Sequence, residues 1–319
     1  MIISASYKTD IPTFYGDWFM NRLRAGYCKT LNPYNRQIIR VSLLPEDVEG
    51  FVFWTKNIGP FLAHLNEIQH RGFPFVVQHT INGYPRVLEQ AVVDESKSVE
   101  HVRHVAETYG PRVCVWRYDT IVHSSVTAYD FHVKTFSRLA RALEGATDEV
   151  VISFAHLYQK TLRNMNQAAE DNGFTWSDPS DEWKRNLLIE LTAIAAASRN
   201  RLTVCSQPQF IVPGSGEARC VDAVRLAEIG GIAFQAKLKG NRKECGCYEA
   251  RDIGEYNTCP HGCVYCYAVQ NRVLALARFR KHDPHSEFLF QPTTEAVEAT
   301  QKTKRIELSL FDSLEEGGS

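Results

Sequence analysis

The alternation of short apolar runs with amphipathic segments is the feature that most constrains how this chain of 319 residues can fold. Six runs have the pattern of β-strands, and a helical segment follows each one; the runs are 1–6, 50–54, 73–78, 113–116, 149–154 and 202–205. One of the helices, 98–108, is predicted to begin with Ser98 as its N-cap. Strands that alternate with helices build a parallel sheet. The sequence therefore predicts an α/β fold, a parallel β/α barrel that is partial or closed.

The prediction divides the chain into three segments. Residues 1–240 form the β/α barrel, residues 241–285 form a cysteine-rich loop and helix packed on the barrel, and residues 286–319 form a tail. No apolar run approaches the roughly 20 residues that a membrane-spanning helix needs. Residues 1–4 lack the charged start of a signal peptide. We therefore expect a cytoplasmic protein with no membrane partner.

Polar and charged side chains follow the apolar runs. The active site of a parallel α/β barrel lies at the carboxyl ends of its strands, so we expect these side chains to share one polar cavity. The candidate catalytic residues are Asp10, Lys56, Arg117 and Asp119, and the candidate cofactor-binding residues are Asn57 and Gln207. Lys56 and Arg117 would hold an anion or a carboxylate, and the two aspartates would pair with them or take protons. Alternatively, Asp10 and Asn57 are ordinary cap or turn residues.

Seven of the nine cysteines fall between residues 205 and 266, and such clustering in a cytosolic chain indicates metal binding rather than disulfides. Cys259, Cys263 and Cys266 are spaced by four and three residues, so one tight loop can turn their sulfurs to a common point. The loop supplies no fourth ligand, whereas a structural zinc site needs four. Three thiolates with a vacancy favour a [4Fe–4S] cluster over zinc.

The other four cysteines of this stretch are Cys205, Cys220, Cys245 and Cys247. They are predicted to hold a second metal site, either an auxiliary, fully ligated cluster or one zinc ion. The alternative for Cys205, which lies on an apolar strand, is that it belongs to the core.

Motifs along the chain carry a family resemblance: Ser6-x-x-Thr9-Asp10-Ile11-Pro12, Phe53-Trp54-Thr55-Lys56-Asn57, Trp116-Arg117-Tyr118-Asp119, Cys245-Gly246-Cys247 and Tyr256-Asn257-Thr258-Cys259. They resemble the domain-of-unknown-function family 1848. The C-x3-C-x2-C loop, with Tyr265 before its last cysteine, resembles the cluster loop of radical S-adenosylmethionine (SAM) enzymes, with spore photoproduct lyase as a distant likeness. The resemblance implies one iron on each loop cysteine, SAM on the fourth iron, and radical chemistry. Tyr265 would then lie against the adenine, or serve as a packing aromatic.

The position of the cysteine loop differs from that of radical SAM barrels, in which the loop follows the first strand. Only about fifty residues follow Cys266, too few for five more β/α units of about 30 residues each. The barrel must therefore precede the loop, as if the chain were permuted. No Gly-Gly-Glu-like segment, which in that superfamily holds the methionine amino group of SAM, is present in the sequence.

Two features point to nucleic acid as a partner. Glu307–Phe311 resembles the peptide with which bacterial repair and replication proteins bind the sliding clamp, although Gln usually leads that peptide; the alternative is a last strand or an amphipathic plug. Residues 271–281 form a basic helix. Damaged nucleic acid is therefore the predicted substrate. The alternative functions are a non-catalytic iron–sulfur or zinc protein that senses redox state or binds nucleic acid, and a metal-free barrel hydrolase.

Overall fold

The computed structural model describes residues 1–32, 35, 37–240 and 244–292. The strands of this part are β1 (Ile2–Ala5), β2 (Tyr27–Leu31), β3 (Ile38–Ser42), β4 (Gly50–Thr55), β5 (Phe75–Thr80), β6 (Cys114–Ile121), β7 (Glu149–Phe154), β8 (Arg201–Val204), β9 (Gly216–Glu217) and β10 (Ala250–Asp252). The helices are α1 (Ile11–Phe14), α2 (Gly16–Ala25), α3 (Leu62–His70), α4 (Glu95–Tyr109), α5 (Tyr129–Ala142), α6 (Gln159–Asn172), α7 (Asp181–Ala197), α8 (Ala223–Gly230) and α9 (Arg272–Arg280).

Eight of the strands form one sheet in the order β10–β1–β4–β5–β6–β7–β8–β9, and every neighbouring pair is parallel. Strands β2 and β3 pair with each other as a separate antiparallel hairpin. The predicted α/β fold with a parallel sheet is confirmed. The order of the described strands has edges at β10 and β9, and a closed barrel is not confirmed.

Both faces of the sheet are buried, as expected of parallel strands with near-continuous apolar runs. One face packs on the helices through Ala5, Phe53, Val77, Trp116 and Ile152. The opposite face, called the inner face below, carries Ile2, Val52, Val76, Val115 and Val151 and is covered by residues from 218–250. Because both faces of the sheet are buried, polar side chains on them need hydrogen-bonding or charged partners.

Two local predictions are wrong. Helix α4 begins after Asp94, whose carboxylate accepts the backbone N–H of Ser96 at 3.0 Å, and Ser98 lies inside the helix. Strand β6 continues to Ile121, so Arg117 and Asp119 lie within the strand and not after it. The apolar run ends at Trp116, but the backbone pairing with β7 continues through Asp119.

The cysteine-rich segment contributes β10 to the edge of the sheet beside β1. The buried carboxylate of Asp252 accepts the hydroxyls of Ser4 and Ser6 at 2.8 Å and the backbone N–H groups of Tyr7 and Gly254 at 3.0 Å. These hydrogen bonds attach the cysteine-rich segment to β1. The chain then leaves β10 at the same end of the sheet as the loop after β1.

The first part of the predicted tail packs on α2. Trp18 Nε1 donates to the carbonyl of Ser286 at 3.0 Å, and Phe288 and Leu289 are buried. The segment Glu307–Phe311, which resembles the peptide that binds the sliding clamp, lies outside the described residues. In the part of the chain that is described, no helix is both long and apolar enough to cross a bilayer.

Candidate functional site

The loop that contains Cys259, Cys263 and Cys266, called the cysteine loop below, places its three thiols around one cavity of about 180 Å³. The backbone turns tightly, with the N–H of Cys266 donating to the carbonyl of Cys263 at 3.1 Å. Gly262 has a φ of 73°, where a side chain would be strained and would meet Arg272. All nine cysteines lie in described residues, and none forms a disulfide there. The three loop cysteines therefore line one cavity, and the convergence of their sulfurs on one cluster stays a prediction.

The cysteine loop is held from two sides. On one side, Val264 N–H donates to the Leu88 carbonyl at 3.0 Å, and Ala91 N–H donates to the His261 carbonyl at 2.9 Å. On the other side, Arg272 Nε donates to Pro260 O at 3.0 Å and Arg278 Nη1 to Tyr256 O at 2.9 Å. Two of the basic residues of α9 therefore support the loop backbone, a role that the sequence did not indicate.

Within the described residues, the cysteine loop has no preformed site for a single metal ion. Across the described ranges, no group of three or more His, Cys, Asp or Glu side chains has the geometry of such a site. The thiols of a [4Fe–4S] site each bind a different iron, which requires sulfurs further apart than those around one ion. Burial is the main cause that raises the pKa of each thiol, Cys259, Cys263 and Cys266. Metal binding would therefore release protons from these thiols.

Lys56 lies at the centre of a buried polar group beside the cysteine loop. Its ammonium is 2.8 Å from Glu89 Oε1. The same carboxylate accepts the hydroxyl of Tyr265 and, at 3.2 Å, Nδ2 of Asn82. Burial would lower the pKa of Lys56, but the charge and hydrogen bond of Glu89, together with the other acidic groups nearby, outweigh burial and the pKa is raised. Lys56 is therefore a protonated cation near Cys263.

Tyr265 occupies a packed position. Its ring is 8% exposed and lies edge-on to Tyr84, with centroids 5.8 Å apart. Burial and then the charge of Glu89 raise the pKa of Tyr265 far above its usual range, so its hydroxyl remains a donor to that carboxylate. These contacts favour the packing role for Tyr265, and the contact with adenine stays a prediction.

Asp10 links α1, β4 and the cysteine loop. Its carboxylate accepts Thr13 N–H at 2.9 Å, as a helix N-cap, and Lys56 N–H at 2.8 Å. Nε2 of His261, inside the cysteine loop, lies 2.8 Å from Oδ2 of Asp10, the oxygen that also accepts the Lys56 N–H. Burial would raise the pKa of Asp10, but His261 and the hydrogen bonds from Lys56 and Thr13 together outweigh burial, and the pKa is lowered. Asp10 is thus both a cap and a contact of the loop.

Arg117 and Asp119 form a second polar pair, on the inner face. Arg117 Nε donates to Asp119 Oδ2 at 3.1 Å, and Nη1 donates to Gln78 Oε1 at 3.1 Å and to Cys220 Sγ at 3.0 Å. The backbone N–H of Asp119 donates to Asn82 Oδ1 at 3.0 Å. Since Asn82 also contacts Glu89, the two polar groups are joined through one amide.

The two candidate cofactor-binding amides make local contacts. Asn57 Oδ1 accepts the N–H of Gly59 at 3.1 Å, as in a turn. Gln207 bonds both backbone groups of Phe154, with its Oε1 accepting at 2.7 Å and its Nε2 donating at 3.2 Å. Their polar atoms are therefore engaged in holding loops at the carboxyl ends of β4 and β7.

Sequence reasoning missed Glu89, Asn82 and His261. Glu89 and Asn82 lie in an irregular segment between β5 and α4. In such a segment the sequence pattern does not distinguish a functional polar residue from an ordinary loop residue. Only folding brings that segment against the cysteine loop, by a bridge between Glu89 and Cys263. His261 could have been found, because it lies inside the cysteine motif itself.

The fold and the site define a parallel α/β protein that carries a cysteine loop at the carboxyl end of its sheet. The family model described as a domain of unknown function (DUF1848) matches residues 2–268, and the chain belongs to this family. The match runs from β1 through the cysteine loop and includes every candidate site residue. A comparison with curated proteins finds no match, and a comparison with solved structures finds none either.

Proposed function

We propose that the chain is an iron–sulfur enzyme of the radical SAM type, with Cys259, Cys263 and Cys266 as ligands of a [4Fe–4S] cluster. The position of the cysteine loop carries the proposal. The loop leaves the carboxyl end of β10, an edge strand parallel to β1. In radical SAM barrels the loop follows the first strand, so β10 corresponds to that strand, and β1, β4, β5, β6 and β7 correspond to the next ones. The strand order thus supports a permuted, partial barrel.

The residues of the loop fit such a cluster. Three thiols line one cavity, and the loop itself supplies no fourth cysteine. When bound, the cluster would supply the electron that cleaves SAM and starts radical chemistry. The chain would orient the reactants and exclude water, and the buried ring of Tyr265 beside the thiols suits the latter role.

Lys56 is the residue best suited to hold an anion in this site. It is a half-buried cation beside Cys263, the second loop cysteine, and Glu89 fixes its ammonium. The carboxylate of SAM or an anionic group of the substrate would share this ammonium with Glu89. Asp10 would act by positioning His261 and the loop. Arg117, paired with Asp119, would hold an anionic group on the inner face.

Damaged nucleic acid is the proposed substrate class, with the sliding clamp as a proposed partner through Glu307–Phe311. Basic residues of and next to α9 support this choice. Arg280 and Lys281 are exposed, whereas Arg272 and Arg278 bond the loop. Changing Arg280 and Lys281 together to Gln should weaken the binding of single-stranded DNA and reduce its salt dependence by about two charges. Gel-shift titrations at several salt concentrations would measure both effects, and unchanged binding would exclude this surface.

Product analysis tests the proposed activity. Protein reconstituted without oxygen with iron and sulfide, then given dithionite and SAM, should release 5′-deoxyadenosine. The triple variant Cys259→Ala/Cys263→Ala/Cys266→Ala should release none. The control variant Cys28→Ala changes a buried cysteine of strand β2 and should still release 5′-deoxyadenosine. A reconstituted wild-type protein that holds its cluster but never cleaves SAM would instead support the non-catalytic alternative.

A further inference from the structure

Four cysteines outside the cysteine loop meet on the inner face of the sheet. Sγ of Cys205 lies 3.5 Å from Sγ of Cys220. The thiol of Cys247 is in hydrogen-bonding contact with Cys220 on one side and with Cys245 on the other. Cys220 and Cys247 are buried, and Cys205 and Cys245, at the two ends of the row, are half-buried. Four thiols from three separate segments therefore form one continuous group.

Two backbone hydrogen bonds and one from a side-chain amide bring these segments together. Cys205 N–H donates to Ile152 O at 2.8 Å, so Cys205 continues the pairing of β8 with β7. Gln78 Nε2 donates to Cys220 O at 2.9 Å, which attaches that residue to β5. Tyr248 N–H donates to Val221 O at 3.0 Å and joins the third segment to the second. The group is thus a product of the fold and not of local spacing alone.

Two hydrogen-bond donors face the sulfurs of this group in an otherwise apolar place. The neighbouring side chains include Val52, Val76 and Val115 of the inner face. Into this layer, Arg117, which is 4% exposed, directs Nη1 to Cys220 Sγ at 3.0 Å. The backbone N–H of Val221 donates to Cys247 Sγ at 3.4 Å. Donors of this kind around sulfur are typical of the outer shell of a metal–thiolate site.

We propose that Cys205, Cys220, Cys245 and Cys247 bind one four-coordinate zinc ion, at a site separate from the cysteine loop. Four sulfurs at about 2.3 Å from zinc, at the corners of a tetrahedron, lie about 3.8 Å apart. The 3.5 Å between Cys205 and Cys220 is close to that separation. Ligands of an iron–sulfur cube bind different irons and lie further apart. The contact between Cys205 and Cys220 therefore fits two ligands of a single ion.

Binding requires a small rearrangement, because the thiols touch in a row and the described residues contain no preformed group of three metal ligands. The half-buried Cys205 and Cys245 must rotate toward Cys220 and Cys247. The four thiols release their protons on binding, which leaves a net charge of −2 on zinc and four thiolates. Arg117 offsets part of that charge. The ion would join the end of β8 to the segment that leads into β10, and so stabilise the strand from which the cysteine loop leaves.

Zinc loading of the triple variant Cys259→Ala/Cys263→Ala/Cys266→Ala tests this site, because that variant lacks the loop thiols and its result does not depend on the proposed activity. After incubation with zinc and gel filtration, elemental analysis should find about one zinc per chain. X-ray absorption at the zinc edge should find four sulfurs at about 2.3 Å. Adding Cys220→Ala should abolish retention, whereas adding Cys28→Ala should not.

A variant at the end of the row of thiols distinguishes loss of the zinc site from misfolding of the protein. Cys245→Ser changes a half-buried thiol, and it should lower zinc affinity at least tenfold, while circular dichroism of the zinc-free variant stays that of the parent. The proposal is overturned if the triple variant retains less than about a tenth of an equivalent of zinc, or if zinc has fewer than four sulfur neighbours. It is equally overturned if Cys205 and Cys220 form a disulfide in place of the site, or if the triple variant takes up an iron–sulfur cluster in preference to zinc.

Discussion

Removing the carboxylate of Asp252 should destabilise the protein strongly, because this side chain joins β10 to β1. In Asp252→Ala, the backbone N–H groups of Tyr7 and Gly254 lose their acceptor. Each buried donor left without an acceptor costs about 1–3 kcal/mol, so the two together cost about 2–6 kcal/mol. The hydroxyls of Ser4 and Ser6 can rotate to other acceptors and add less. Asp252→Asn keeps one acceptor oxygen and should cause an intermediate loss.

Urea unfolding followed by tryptophan fluorescence would measure the change in the free energy of unfolding. Glu46→Ala is the matched control, because Glu46 is an exposed carboxylate and its removal should change stability by less than about 0.5 kcal/mol. Iron retention after anaerobic reconstitution gives a second readout, since the cysteine loop depends on β10. An Asp252→Ala protein as stable as the Glu46→Ala control would refute the role of the Asp252 carboxylate in joining β10 to β1.

Two further predictions concern buried charges. Burial lowers the pKa of His132 to about 4. Between pH 6.5 and pH 4 the unfolded chain therefore binds a proton at this histidine, whereas the folded chain does not. The free energy of unfolding should fall by about 3 kcal/mol as the pH drops from 6.5 to 4. His132→Gln should flatten this dependence in urea titrations, the exposed His104→Gln should not, and equal slopes would contradict the argument. Arg225 Nη2 is 2.7 Å from the buried Glu149, so Arg225→Met should cost about 3–5 kcal/mol by the same assay. Loss of the exposed pair in Lys239→Met should cost less than about 1 kcal/mol, and similar losses for both would refute the role of burial.

The central sheet could be predicted because its main strands are long apolar runs between helices with clear periodicity. Strand β7, Glu149–Phe154, appears in the sequence with the bounds that it has in the structure. Strand β10 could not be found in this way. It has three residues, Ala-Arg-Asp, without an apolar pattern, and its pairing with β1 depends on the carboxylate of Asp252.

The cysteine loop could be proposed as a site from the sequence, because the proposal depends only on the local spacing of Cys259, Cys263 and Cys266. Contacts between distant segments were not predictable. Glu89 becomes the partner of Lys56 only when the segment after β5 packs against the cysteine loop. Arg117 was expected at a strand end, but it lies within β6, because an arginine is tolerated on the buried inner face when Asp119 and Gln78 pair with it.

Electron paramagnetic resonance of the reduced protein tests most directly whether the cysteine loop holds a cluster with one open iron. Protein reconstituted with iron and sulfide and reduced by one electron should give a [4Fe–4S]⁺ signal. Because three thiolates leave the fourth iron without a protein ligand, addition of SAM should change that signal in the wild-type protein, and the signal should be lost in the triple variant Cys259→Ala/Cys263→Ala/Cys266→Ala. A wild-type signal that saturating SAM leaves unchanged, or one that persists in the triple variant, would contradict the account.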